Sequence, residues 1–137
     1  MALTHLVDTS VLTRLRYAPV RAIIEPLASS GSLARAGITD LEIGYSARSA
    51  KEWDRAVDAL DAFELIETSA DHVRRARQVQ RLLASKHQRG RKVPDLLIAA
   101  AAEATDLAVL HYDADFDRIA AITGQRVEWI LPAGSVD

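Results

Sequence analysis

Short apolar, β-prone runs recur along this chain, each passed directly to a capping residue and then to an amphipathic stretch at helical spacing, and that alternation restricts the fold more than any other feature. Residues 3–7 form the first run, which ends at Asp8, and Thr9 and Ser10 then offer caps for a helix carrying Val11, Leu12 and Leu15. Pro19 permits a second helix start, with Val20, Ile23, Ile24 and Leu27 on one face. Gly31 breaks it, and residues 32–36 are the next strand candidate, leading through Gly37 and Thr39 into a helix with Ile38, Leu41 and Tyr45. The spacing predicts further helices over 51–63, 73–86 (ended by Gly90), 96–105 and 116–122 (ended by Gly124), and strands at 65–67, 107–110 and 127–131. Strands separated by helices favour an α/β fold, a three-layer α/β/α sandwich with a mostly parallel central sheet and right-handed crossovers. At 137 residues the expectation is a single domain spanning 1–137.

The chain has no cysteine, which removes disulfide scaffolds, thiolate zinc sites, Fe–S clusters and cysteine nucleophiles together. The first ten residues lack the basic and long apolar regions of a secretory signal, and no apolar run approaches the roughly 18 residues of a membrane span, so a cytoplasmic protein is expected. The motifs of phosphate-binding loops, serine-hydrolase elbows and dinucleotide folds are missing too.

What the chain does offer is acid at one place. In an open parallel sheet, ligands sit beyond the carboxyl ends of the strands. Asp8 follows the first strand there, Asp113 and Asp115 follow the strand at 107–110, and Asp95 opens the Ala-rich helix. Glu42 lies four residues after Ile38 and three before Tyr45, which puts it on the apolar side of its helix and predicts a buried carboxylate. Singly, Asp8 or Asp95 could cap a helix, Asp113 and Asp115 could form Asx turns, and Glu42 could bond a backbone group. Together, with no Lys or Arg among the motifs, they would repel one another unless protonated or neutralised by a divalent cation. Oxygen donors favour Mg²⁺ or Mn²⁺ over Zn²⁺, and the corresponding chemistry is metal-assisted phosphodiester hydrolysis.

Four blocks, Val7-Asp8-Thr9-Ser10, Thr39-Asp40-Leu41-Glu42, Val93-Pro94-Asp95-Leu96-Leu97-Ile98-Ala99-Ala100 and Asp113-Ala114-Asp115-Phe116, resemble the signature blocks of the PIN-domain family. Their order and spacing are similar to those of the VapC toxins of VapBC toxin–antitoxin pairs, over essentially the whole chain. The resemblance implies Asp8 and Asp95 as central metal ligands, Glu42 and Asp113 completing an acidic quartet, Asp115 assisting directly or through water, and Ser10 bracing the site. It implies a Mg²⁺- or Mn²⁺-dependent endoribonuclease acting on single-stranded regions of structured RNA such as tRNA or rRNA. It further implies a homodimer silenced by a VapB antitoxin, whose C-terminal segment lies across the acidic pocket. One departure is His111, where VapC-like sequences often have Thr; the alternatives are a core-edge residue or a contact to substrate or a metal-bound water.

Between His72 and Pro94 lie eight basic residues and no acid, on a body that is otherwise strongly acidic. A solvated helix face is one reading of such a run, and an RNA-backbone contact is the other. Beside a nuclease-like pocket, Arg89, Arg91 and Lys92 are the candidates for the second. Aromatic stacking platforms are scarce, so backbone and shape would govern RNA choice, and Trp53, Phe63 and Phe116 read as core or dimer-contact residues. Two other functions fit less well: a receiver-like phosphoacceptor, disfavoured because Asp8 stands alone and no Lys follows Lys92, and a catalytically silent PIN fold, for which the intact acids offer no support.

Overall fold

Five strands, β1 (His5–Val7), β2 (Leu33–Ala36), β3 (Glu64–Ile66), β4 (Ala108–His111) and β5 (Val127–Trp129), form one all-parallel sheet in the order β3-β2-β1-β4-β5. The structure is a computed structural model that describes residues 2–88 and 92–137. Among these residues seven α-helices flank the sheet: α1 (Thr9–Leu12), α2 (Ala18–Ser29), α3 (Gly37–Gly44), α4 (Ala50–Asp58), α5 (Ala70–Ser85), α6 (Val93–Ala104) and α7 (Asp115–Thr123). A 3₁₀ turn, Ala59–Ala62, prolongs α4.

Alternation along the strands divides the interior into two cores. Leu6, Ala34 and Val109 face one side, against Ala76, Val79 and Leu83 of α5, Ile98 and Ala102 of α6, and Phe116 and Ile119 of α7. Val7, Leu33 and Leu110 face the other, against Val11, Val20, Ile24, Val57, Leu60 and Phe63. The three central strands β2, β1 and β4 are covered on both faces, which produces the three-layer sandwich, while the edge strands β3 and β5 are more exposed. No helix among the described residues is long and apolar enough to cross a membrane.

Several local expectations are corrected. The first helix stops at Leu12 and does not reach Leu15. The basic helix α5 starts earlier than expected, at Ala70, where Ser69 and His72 form a reciprocal capping box. It ends at Ser85, one residue short of the expected 86, and Gly90 lies outside the described residues. His87 takes the left-handed conformation (φ 59°) expected of a glycine there, and the Gln88 N–H closes onto the Leu83 carbonyl at 2.8 Å. Helix α3 is turned relative to its apolar stripe. Thr39 is its fully buried residue, Leu41 and Tyr45 face outward, and Glu42 is exposed rather than buried.

Since all five strands run the same way, their carboxyl ends share one edge. Asp8 leaves β1 there, α3 starts directly from β2, and residues 112–115 leave β4. Helix α6 brings its first turn to the same edge.

Candidate active site

The acidic pocket at that edge is lined by Asp8, Glu42, Asp95 and Asp113, with Lys92 and Arg14 at its walls. Asp8 is buried and caps α1, its Oδ2 accepting the Ser10 N–H at 3.0 Å. The Ser10 Oγ in turn accepts the Tyr112 N–H at 2.9 Å, tying α1 to the segment after β4. The capping role foreseen for Asp8 and a pocket-facing role therefore coexist in one carboxylate. Glu42 reaches the pocket from α3, where the Thr9 hydroxyl donates to its Oε1 at 2.7 Å.

Asp95 stands in the first turn of α6, yet Lys92 is the capping residue of that helix and Asp95 makes no cap bond. It is 4% exposed, and its Oδ2 is buried without a hydrogen-bond partner among the described residues. Asp113 behaves as an Asx turn through one oxygen, Oδ1 accepting the Asp115 N–H at 2.9 Å, while Oδ2 accepts the Lys92 ammonium at 2.6 Å. Asp115 lies 3.4 Å from the Arg118 guanidinium. Asp95, Asp113 and Asp115 each offer a carboxylate oxygen, all within 4.8 Å of one another. Asp8 and Glu42 line the same pocket outside that tight trio.

Crowding and burial govern the charge states. Burial pushes the Asp8 carboxyl up, the Ser10 hydrogen bonds oppose this, and the Glu42 and Asp113 charges add to it. Burial and then the Asp8 charge carry Asp95 from 3.8 to about 7, against the pull of Lys92. Burial pushes Asp113 up as well, but the Lys92 hydrogen bond, the Asp115 N–H and the Lys92 charge outweigh it and hold Asp113 below its ordinary value. The hydrogen bond to Asp113 keeps Lys92 firmly protonated.

His111 resolves to the core. It is fully buried between Phe116 and Trp129, each ring centroid 5.0 Å away, and burial lowers its pKa. Its Nδ1 accepts the Asp113 N–H at 3.1 Å, so the neutral ring carries its proton on Nε2 and helps set the turn that presents Asp113.

Two expectations about charge change. The acids were expected without a cationic neighbour, but Lys92, just before the third motif block, enters the pocket; it lies 3.9 Å from Asp95 Oδ2 as well as bonding Asp113. The basic run is not one open strip either. Arg74 pairs with Asp71 and Arg75 with Glu103 at 2.7 Å, while Arg89 and Arg91 lie outside the described residues. Arg14 was not anticipated at all. Four residues after Ser10, it donates to the Ser10 carbonyl at 2.8 Å and stacks 4.7 Å over the Tyr112 ring. Arg14 lies beyond the end of α1 at Leu12, so helical spacing did not mark it.

A buried, orphaned carboxylate oxygen among all-oxygen donors is the chemistry that suits a hard divalent cation. A family model described as PIN domain matches residues 5–122. Ribonuclease VapC51 of Mycobacterium tuberculosis is 62% identical over 137 residues, covering 100% of both chains. Ribonuclease VapC21 of the same species is 46% identical over 138 residues, covering 98% of this chain and 99% of that protein. Among solved structures, the DNA-bound VapBC of Salmonella typhimurium has a chain that superposes with a TM-score of 0.76 at 20% identity, covering 94% of this chain and 99% of that one. VapBC-1 of nontypeable Haemophilus influenzae gives a TM-score of 0.74 at 16% identity, with 95% and 98% covered. At those identities the two structures speak for the fold.

Proposed function

The chain belongs to the PIN-domain family, among the VapC ribonucleases, and from that premise we propose that it is a VapC-type toxin, a Mg²⁺- or Mn²⁺-dependent endoribonuclease restrained by a cognate VapB antitoxin. The observation that carries the metal dependence is Asp95, a buried carboxylate whose Oδ2 has no hydrogen-bond partner among the described residues and which sits with Asp113 and Asp115 inside 4.8 Å. Such a group is costly unless a cation completes it. Asp8, Asp95 and Asp113 would hold the ion, with Glu42 and Asp115 assisting. When bound, a divalent cation supplies charge neutralisation at the phosphate and a more acidic attacking water.

The chain's own groups do the rest. Ser10 fixes Asp8 through its N–H and fixes residue 112 through its hydroxyl, so the two walls of the pocket keep register. Glu42 is anchored through Oε1 by Thr9 and exposed at the rim, which leaves Oε2 to take a proton from the attacking water. Lys92, with Arg89 and Arg91, supplies cationic contacts for the RNA backbone, tRNA or rRNA being the intended substrate class.

The partners follow from the same surfaces. An acidic pocket is complementary to a basic antitoxin segment, and one solved structure that shares this fold is described as a toxin–antitoxin complex, from Klebsiella pneumoniae. The outward apolar residues Leu41, Tyr45 and Val93 support a homodimer. An RNA-cleaving toxin acts where its RNA is, which makes the cytoplasm its compartment.

Purified protein is expected to cleave RNA with Mg²⁺ or Mn²⁺ and to stop on addition of EDTA. Asp8→Asn and Asp95→Asn should each remove activity while circular dichroism shows an intact fold. Cleavage that persists in EDTA, or full activity in both variants, would sink the mechanism.

A further inference from the structure

The pocket already contains a cation of its own. Lys92 Nζ stands 2.6 Å from Asp113 Oδ2 and 3.9 Å from Asp95 Oδ2, between two members of the carboxylate trio. Asp113 Oδ1 accepts the Asp115 N–H while Oδ2 accepts the Lys92 ammonium. An ion shared by Asp95 and Asp113 through their Oδ2 atoms therefore competes with that ammonium for the same negative charge. We propose that Lys92 sets the metal affinity of this site: its tethered ammonium occupies the cation position in the metal-free protein and is given up as a divalent ion loads.

This inference rests on the metal dependence proposed above. The arrangement suits exchange rather than permanent pairing. The Lys92 backbone is fixed as the capping residue of α6, whereas its side chain is 62% exposed on a flexible four-carbon stem. A half-exposed ion pair is weak enough to be displaced, yet it always competes for the same negative charge. Once released, the ammonium points to the mouth of the pocket, where a phosphate of the substrate would arrive.

The test is direct Mn²⁺ binding, followed by electron paramagnetic resonance of the unbound ion, on wild-type protein, Lys92→Met, Lys92→Gln and Lys92→Arg. The two neutral variants are expected to bind Mn²⁺ roughly tenfold more tightly and to gain more thermal stability from it. Lys92→Arg, which keeps the charge, should bind no more tightly than wild type. Folded neutral variants with unchanged or weaker Mn²⁺ affinity overturn the proposal and leave the metal reading standing. If the wild type itself binds no Mn²⁺, the metal reading falls and this one with it.

Discussion

Asp95 departs furthest from its ordinary chemistry. Burial and the neighbouring Asp8 charge raise its carboxyl from 3.8 to about 7. A folded-state value above the unfolded one means that the folded protein holds an extra proton between about pH 4 and pH 7. Stability is accordingly greater on the acid side of that window and falls as pH rises through 7, by an amount on the order of 4 kcal/mol. Asp95→Asn removes the buried charge, so metal-free protein carrying it should melt roughly 5 °C or more above wild type at pH 8. Near pH 4, where Asp95 is protonated anyway, the two curves should nearly coincide. Calorimetry in EDTA reads both, and a lower melting temperature for the variant at pH 8 would contradict the assignment. The position of Asp95 was legible in its sequence block. Its isolation was not, because an orphaned oxygen depends on what every other side chain in the pocket has already taken.

Helix α3 shows how an element can be legible in extent and misread in orientation. Ile38, Leu41 and Tyr45 sit at helical spacing, which marks a helix, but spacing alone does not tell a core-facing stripe from an interface-facing one. An arginine anchored to distant carbonyls and paired with Asp40 turns the helix. Arg35, buried on β2, grips Asp40 through Nε at 2.7 Å and Nη2 at 3.1 Å, and its Nη1 serves the carbonyls of Leu60 and Phe63 at 2.9 and 2.5 Å. This orientation buries Thr39 and brings Glu42 to the pocket rim beside Thr9. Arg35→Met should cost about 3 kcal/mol, because Asp40 and two carbonyls lose their donor at once. Urea denaturation measures the loss, and the released α3 should also lower the cleavage rate at protein concentrations and temperatures where the variant stays folded. A variant with wild-type stability would mean that α3 is held by packing alone.

For the whole molecule, the parallel sheet explains why the acidic blocks could be placed from sequence: one edge receives every strand's carboxyl end, so residues far apart in the chain meet there. The same logic does not reach surfaces that another chain covers. Tyr45 is 91% exposed and Leu41 65%, and with Ile38 and Pro94 they form an apolar patch that borders Glu42. Leaving such groups in water is unfavourable, and a second copy seated on the patch would bury them beside the acidic pocket. In the proposed homodimer, each pocket would then open next to a partner wall. Leu41→Arg combined with Tyr45→Arg changes only outward side chains, so the circular dichroism spectrum should be unaltered. Two charges facing their own copies across the interface should weaken self-association about a hundredfold or more. Sedimentation velocity of wild type and double variant at matched concentrations reads the outcome. A dimer in both locates the interface elsewhere, and a monomer in both rejects the homodimer and leaves the antitoxin to cover the patch.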